Sequence, residues 1–413
     1  MKYIRTAARL FVGAVFILSG FGKAIDPLGT VYKLEEYFEV LHLDFLNSLS
    51  LVFAIILCST EMIIGFNLLM GIRVRITSWF LLVFMSVFTL LTLKTAIDNK
   101  VTDCGCFGDM IILTNWQTFW KNIILFIPTL VIFLQRKNYL HIFSPILQWS
   151  VSALFGLMVI LLAVYSSYHL PLLDFRPYKT GVNISQGMSI PAGSPVDEYS
   201  FSFIYKKNGV QKEFDLEHLP DSTWQWIETK QKLIRKGYVP PIHDFSITTL
   251  GGQDITQMIL NDPGYTFLII AYDLKITEKA SFSRLNRLAA SVDSVNIRFY
   301  CVTSSTFEVI DDFVKEVRPE FQICTADNIT LKTMIRSNPG LMLLKKGTII
   351  GKWHYRKIPE KMKGDLLSFS VSRIRAAKSG WITAGFITGF FLFITLIYLL
   401  VFRFCKKTAL FGS

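Results

Sequence analysis

The chain has 413 residues, 51% of them hydrophobic, with a net charge of +12 and a mean hydropathy of +0.41. A soluble protein of this length would be less apolar, so we expect much of the chain to lie in lipid. The basic residues lie beside apolar segments rather than in a groove-like cluster, which argues against nucleic acid as a partner. Six cysteines are too few for a disulfide scaffold in so long a chain.

Six segments satisfy the requirement of about 20 apolar residues for a transmembrane helix. They are 7–25, 49–71, 76–97, 116–134, 143–168 and 380–402. The first has the basic start of a signal peptide. Because Lys23 to Pro27 does not resemble a small-residue cleavage site, we interpret it as a retained helix.

The charges of the connecting loops predict the topology. The N-terminus, the loops 71–76 and 135–142 and the C-terminal tail carry only basic charges, whereas 23–45 is acidic on balance. The positive-inside rule then places both termini in the cytoplasm of a multi-pass protein of the bacterial inner membrane. The loop after the third span and the segment 169–379 are predicted to be periplasmic. Basic residues ahead of the last span disagree, but long translocated domains tolerate them.

The long segment 169–379 has two parts. Residues 169–240 contain short alternating runs, typical of a small β-rich lead-in. In 241–379, apolar runs predict buried strands that alternate with helices, the pattern of an α/β sheet. The predicted strands are 265–271, 297–302 and 341–344, and the predicted helices are 278–291, 307–317 and 328–336.

Cys104-Gly105-Cys106 lies in a short polar loop between the third and fourth spans. Two thiols one residue apart close only a strained disulfide, and strained disulfides tend to be labile and reactive. Cys104 and Cys106 are therefore the candidate catalytic residues, although a static bridge and metal binding stay open. A structural zinc site needs four ligands, and no His or further Cys is nearby. Asp103 and Asp109 are expected to raise the pKa of the thiols.

Glu61 lies within the second span, where an acidic side chain is costly and faces the bundle interior. It either fixes helix packing or handles protons. We do not expect it to pair with Lys23, which is placed at the outer end of the first span. Cys58, one turn away, is interpreted as a small buried hydrophobe.

Cys301 and Cys324 fall in two predicted parallel strands that could be neighbours within bridging distance. Three interpretations stay open: a structural Cys301–Cys324 disulfide, two unpaired thiols, or a redox partner of the membrane loop. Cys405 follows the last span and is expected to be inert.

The N-terminal region, about 1–140, resembles the DoxX/MauE group of bacterial membrane proteins. The matching residues are Arg9, Ser19-Gly20-Phe21-Gly22-Lys23, Asp26-Pro27, Glu61 with Gly65 and Gly71, and Cys104-Gly105-Cys106-Phe107-Gly108-Asp109. The resemblance implies a four-helix membrane bundle with a redox association. MauE-type proteins are linked to the maturation of a disulfide-rich amine dehydrogenase subunit.

Residues 241–365 resemble a thioredoxin-like domain. Asn338-Pro339-Gly340 stands ahead of the strand 341–344, which implies that Pro339 is the cis-proline of that fold. The fold would carry Cys-x-x-Cys after strand 265–271, but Tyr272 to Thr277 contain no cysteine. Ordinary thioredoxin activity is therefore not implied.

The whole arrangement is similar to DoxX–thioredoxin-like fusion proteins of Bacteroidota. The implied fold class is an α-helical membrane bundle, with a four-helix core plus the spans 143–168 and 380–402, joined to an extracytoplasmic α/β thioredoxin-like domain.

We expect an envelope thiol–disulfide protein. Cys104 and Cys106 would exchange electrons with a protein client that carries thiols or disulfides, or with a quinone in the bundle, while the thioredoxin-like domain docks the client. The alternative is a non-catalytic membrane-anchored scaffold with a structural loop disulfide. Small-molecule transport is a third hypothesis, supported by Glu61 alone. Hydrolase and nucleotide motifs are absent from the sequence.

Overall fold

The computed structural model describes residues 2–101, 104–139, 144–235, 237–292 and 297–359, together with Gly385. Cys405 and, apart from that glycine, the predicted sixth span 380–402 lie outside the described residues.

Five long apolar helices form an N-terminal bundle, each long and apolar enough to cross a membrane. They are α1 (Lys2–Ile25), α3 (Ser50–Met70), α4 (Val74–Asp98), α5 (Asn115–Leu134) and α6 (Pro145–Ser167). The first five predicted spans coincide with these helices, and the chain is a multi-pass membrane protein. Between α4 and α5 lies a short strand, β1 (Cys106–Asp109).

The segment after α1 is helical rather than a loop. Helix α2 (Pro27–Val40) begins at Asp26, whose carboxylate accepts a hydrogen bond from the Gly29 amide at 3.2 Å. Pro27 occupies the first turn, where its missing N–H costs nothing. A 3₁₀ helix (Asp44–Leu49) then leads into α3.

Glycines allow α1 and α3 to pack closely. A Cβ on Gly65 would lie 2.8 Å from the Gly13 carbonyl oxygen, and one on Gly20 would lie 2.9 Å from the Cys58 carbonyl oxygen. Small residues at such contacts let helix backbones approach each other in lipid. This close approach brings polar groups of α1 and α3 together.

The C-terminal part is an α/β domain around a six-stranded sheet. Its elements are β5 (Thr248–Thr249), α8 (Thr256–Leu260), β6 (Tyr265–Ile270), α9 (Phe282–Val292), β7 (Arg298–Thr303), α10 (Phe307–Val317), β8 (Gln322–Thr325), α11 (Asn328–Met334), β9 (Gly340–Lys345) and β10 (Thr348–His354). The strand order is β10-β9-β6-β7-β8-β5, in which β6, β7 and β8 are parallel and the other pairings are antiparallel. The predicted strands and helices are confirmed in type and order.

The preceding region divides into two pieces. One is a separate antiparallel sheet of β2 (Glu198–Lys207), β3 (Val210–Asp215) and β4 (Gln225–Arg235), in the order β3-β2-β4. The other contains α7 (Ile184–Met188) and joins the α/β domain. The Ile184 amide donates to the Gly347 carbonyl at 2.8 Å, and the Ile184 side chain lies in the domain core.

Of the three interpretations of Cys301 and Cys324, the structure has the two unpaired thiols. Strands β7 and β8 are parallel neighbours, but Cys301 pairs with Ile323, while Cys324 pairs with Val302. Consecutive strand residues point to opposite faces, so the two thiols lie in different hydrophobic clusters. Burial raises the pKa of Cys301, and that of Cys324 to about 11.

Candidate functional site

The cysteine loop lies directly against α1. Gly105 and Gly108 adopt φ values of +57° and +58°, and the Gly108 amide donates to the Gly105 carbonyl at 3.0 Å, which closes a tight turn. A Cβ on Gly22 would lie 2.5 Å from the Phe107 carbonyl oxygen. Gly22 therefore permits the loop backbone to rest on the helix, which accounts for a glycine in the 19–23 motif.

Both cysteines of the loop carry free thiols in the structure. The Cys104 thiol donates to Asn115 Oδ1 at 3.4 Å, and its sulfur lies 3.5 Å from Thr95 Oγ1. The backbone carbonyl of Cys106 accepts a hydrogen bond from Ser19 Oγ at 2.6 Å and another from Lys23 Nζ. Side chains from three helices thus fix the loop.

Lys23 and Glu61 form a buried ion pair, contrary to the sequence-based prediction. Their nearest atoms, Lys23 Nζ and Glu61 Oε2, are 2.8 Å apart, and the side chains are 4% and 5% exposed. Ser19 Oγ donates to the same carboxylate oxygen at 2.9 Å. A helical side chain leans toward the helix N-terminus, so the Lys23 ammonium reaches back to the level of Glu61.

Burial raises the pKa of the Cys106 thiol, and the positive charges of Lys121 and Lys23 oppose this shift. The sequence led us to expect that Asp109 would raise this pKa through its charge. Asp109 instead binds an arginine of the α/β domain. Asp103 lies outside the described residues.

A cavity of about 550 Å³ extends from the cysteine loop into the bundle. Cys104 and Cys106 both line it, and so do Ser19, Lys23 and Glu61. The rest of the wall is mainly aliphatic and aromatic, with Phe16, Phe38, Phe53, Phe84, Phe88 and Leu125 among its residues. The cavity therefore has one polar end, at the thiols, and an apolar body.

Arg336 joins the α/β domain to the bundle. Its Nε lies 2.9 Å from Asp26 Oδ2 and its Nη2 lies 2.6 Å from Asp109 Oδ2, with the arginine side chain 6% exposed. Burial alone would lower the pKa of Arg336, but the nearby carboxylates of Asp26 and Asp109 have the larger effect and raise it. Arg336 likewise lowers the pKa of Asp26, while burial raises that of Asp109. The loop, the start of α2 and the α/β domain thus share one buried charge cluster.

Next to this cluster, the end of β6 contacts the bundle. The hydroxyl oxygens of Tyr272 and Tyr32 are 3.3 Å apart, and Lys332 Nζ lies 4.6 Å from the centre of the Tyr32 ring. The Asn338–Pro339 peptide bond is cis, and Asn338 Nδ2 donates to the Asp273 carbonyl at 2.8 Å. The end of the domain where Cys-x-x-Cys would stand therefore faces the bundle.

The sequence did not predict the partners of the buried charges at this site. Opposite charges in two apolar segments are a signal for pairing, and it applies to Lys23 and Glu61. Nothing local marks Arg336 as the partner of Asp26, which is 310 positions away. Within the part of the chain that the structure describes, no group of three or more His, Cys, Asp or Glu could hold a metal ion.

The family model described as "Methylamine utilisation protein MauE" matches residues 1–135, and a "Domain of unknown function (DUF8463)" matches residues 199–236, which hold β2, β3 and β4. No curated protein matches the chain. Among solved structures, the chain is similar to StoA from Bacillus subtilis. The match has 22% sequence identity, covers 26% of this chain and 84% of StoA, and has a TM-score of 0.22.

Two further similar structures cover 31% of this chain each. One is a secreted Mycobacterium tuberculosis disulfide oxidoreductase homologous to E. coli DsbE, with 18% identity, 95% of that chain covered and a TM-score of 0.24. The other is a thioredoxin-like protein from Aeropyrum pernix, with 12% identity, 88% covered and a TM-score of 0.25.

Proposed function

We propose that this chain, which has a MauE family N-terminal region and a thioredoxin-like C-terminal domain, is a thiol–disulfide redox protein of the cell envelope. The observation that carries the proposal is the free thiol pair Cys104 and Cys106 at the polar end of a bundle cavity. The thioredoxin-like domain has no cysteine at the end of β6, so chemistry in this protein starts from the loop.

The chemistry is thiol–disulfide exchange. A client thiolate attacks the Cys104–Cys106 disulfide and forms a mixed disulfide with one loop cysteine, and a second client thiol then displaces that cysteine. The client is left with a disulfide and the loop with two free thiols, the state of the loop in this structure, so two electrons pass from the client to the loop. Burial raises the pKa of Cys106, and the thiolate is the attacking species, so Cys106 is disfavoured as an attacking thiol.

The proposed client is an envelope protein with thiols or disulfides, met on the periplasmic side of the inner membrane. The loop charges support this orientation. The contact of Arg336 with Asp109 supports the same side for the loop and the thioredoxin-like domain. The thioredoxin-like domain is proposed to recruit this client.

A second candidate function is a non-catalytic, membrane-anchored scaffold. The observation that favours it is the docked domain, because Tyr272 contacts Tyr32 where a thioredoxin-like protein would present its thiols. In that case the loop would carry a permanent disulfide that holds β1 in place, and the domain would act by binding alone.

The reduction potential of the pair separates the two candidates. The purified full-length protein is equilibrated in dithiothreitol redox buffers, and the oxidised fraction of the Cys104–Cys106 peptide is measured by mass spectrometry after alkylation. We expect a potential above about −300 mV, the level below which structural disulfides lie. The peptides that carry Cys301 and Cys324 are internal controls, which should stay reduced throughout because these thiols are buried on opposite sheet faces.

A Cys106→Ala variant tests the exchange itself, because it lacks the resolving thiol and should accumulate a mixed disulfide at Cys104 with a client. A Cys58→Ala variant is the matched control. Cys58 is buried in α3, and the variant keeps both loop thiols, so it should accumulate no mixed disulfide. A potential below about −300 mV together with no mixed disulfide would contradict the redox function and favour the scaffold.

A further inference from the structure

The cavity beside Cys104 and Cys106 has the form of a site for a lipid-soluble ligand. Its volume of about 550 Å³ lies within the usual range for small-molecule pockets. Its apolar body would hold a hydrocarbon chain, while the ammonium groups of Lys23 and Lys121 belong to its polar lining. Such a site favours a hydrophobic molecule with a hydrogen-bond-accepting head.

The cavity also reaches the surface of the bundle that lipid would cover. Phe53 and Ile56 line it, and both are exposed on α3, with Ile56 at 55%. A ligand dissolved in the bilayer can therefore approach the thiols from the side, without passing through the docked thioredoxin-like domain.

The chemistry at the polar end selects the class of ligand. Closing a disulfide releases two electrons and two protons, and a quinone in the cavity is the kind of molecule that accepts both. We propose that the cavity binds an isoprenoid quinone, which reoxidises the Cys104–Cys106 dithiol. This inference rests on the proposed redox function, to which it adds the electron acceptor.

The reaction balances without a further reagent. The two S–H bonds of Cys104 and Cys106 break, one S–S bond forms, and the two carbonyl oxygens of the quinone become the hydroxyls of a quinol. Lys23 and Glu61 form a buried hydrogen-bonded pair that contacts the Cys106 carbonyl. The three N–H groups of Lys23 are directed to Ser19, Glu61 and the Cys106 carbonyl, so a quinone carbonyl would take the place of one of these acceptors when Lys23 passes a proton to it.

The test uses the full-length protein in lipid nanodiscs, reduced and then freed of reductant under anaerobic conditions. Decylubiquinone is the probe, because its fully substituted ring cannot add thiols. We expect one quinol for each Cys104–Cys106 disulfide, with quinol followed by absorbance and the disulfide by mass spectrometry. The rate should saturate with quinone, and Cys104→Ser should abolish it.

A cavity-filling variant locates the site. Leu57 lines the cavity, so Leu57→Trp should lower the rate of quinone reduction at least tenfold while oxidation by oxidised dithiothreitol stays unchanged. Leu157→Trp is the matched control, because Leu157 lies on the exposed face of α6, at 54%, and is not part of the cavity wall. It should react at the wild-type rate.

The outcomes distinguish the two proposals. If oxidised dithiothreitol oxidises the pair and decylubiquinone does not, the quinone site is wrong and the redox function stands. If quinone reduction is equally fast with Leu57→Trp, the cavity is not the site. If neither oxidant closes the disulfide, the redox function itself fails.

Discussion

Two regions of the molecule face each other: the cysteine loop of the bundle and the end of β6 in the α/β domain. The loop of the bundle has the thiols, a buried ion pair and a cavity, but no thioredoxin-like framework. The end of β6 has that framework and the cis peptide bond at Pro339, but Tyr272 to Thr277 contain no cysteine. Chemistry and framework thus belong to different domains.

The difference lies in what the end of the α/β domain provides, which is contacts to the bundle and not thiols. Its end nearest to Pro339 holds Arg336 and Tyr272, which contact Asp26, Asp109 and Tyr32 of the bundle. A surface without thiols therefore still binds next to a thiol pair. If the arrangement is right, changes on either side should alter the stability of the contact between the bundle and the α/β domain or the reactivity of the loop thiols.

The largest effect is expected on the bundle side. Lys23→Met leaves the Glu61 carboxylate buried without its ammonium, which should cost about 3–5 kcal/mol of unfolding free energy. Replacing both residues by methionine should recover most of the loss, because a well-packed apolar pair avoids the desolvation penalty. Thermal unfolding in detergent measures both variants.

The matched control is Lys33→Met, which breaks a partly exposed lysine–glutamate pair with Glu36. Exposed pairs contribute at most about 1 kcal/mol. A double variant no more stable than Lys23→Met would show that the ion pair is not the cause of the loss.

A similar or somewhat smaller effect is expected at Arg336, in the contact between the α/β domain and the bundle. Arg336→Ala leaves two carboxylates without their shared partner, and Arg336→Lys lacks the planar guanidinium whose Nε and Nη2 reach the two carboxylates separately. Both should weaken docking and speed hydrogen exchange in α2 and at 106–109. Lys279→Ala, which removes an exposed pair with Glu316, should leave exchange there unchanged. Unaltered exchange in Arg336→Ala would mean that other contacts hold the domain.

The sequence predicted the elements of both sides better than their partners. Hydropathy locates the five helices because lipid demands long apolar segments, and buried strands such as β6 are continuous apolar runs. Helix α2 was missed because 14 residues with three glutamates do not make a membrane span, and because its start depends on the Asp26 cap. The ion pairs of Glu61 and Arg336 were missed because side-chain reach and docking are tertiary properties, which no local pattern encodes.

A moderate effect is expected from Gly22→Ala. Its Cβ would lie 2.5 Å from the Phe107 carbonyl oxygen, so β1 must move away from α1. Overpacking of this kind costs about 1–3 kcal/mol, and the displaced loop should expose Cys106 to faster alkylation. Gly251→Ala in the thioredoxin-like domain is the control, because its Cβ would meet only an ordinary contact at 3.8 Å. Equal alkylation rates in the two variants would contradict the packing argument.

The smallest effect is on thiol reactivity. The thiolate is the species that alkylates, and burial raises the pKa of Cys106. In a Cys104→Ser background, the alkylation rate of Cys106 should therefore still rise with pH above pH 9. The rate of an ordinary thiol, of pKa about 8.5, levels off there. Lys121 opposes the shift from beside the Phe107 ring, at 4.8 Å. Lys121→Met should therefore raise the pKa further and slow alkylation at pH 8. Lys345→Met is its counterpart in the other domain, since Lys345 lies 4.6 Å from the Tyr265 ring centre and far from the loop in the fold. If both variants slow the alkylation of Cys106 equally, the change comes from the net charge of the protein and not from the position of Lys121 beside the loop.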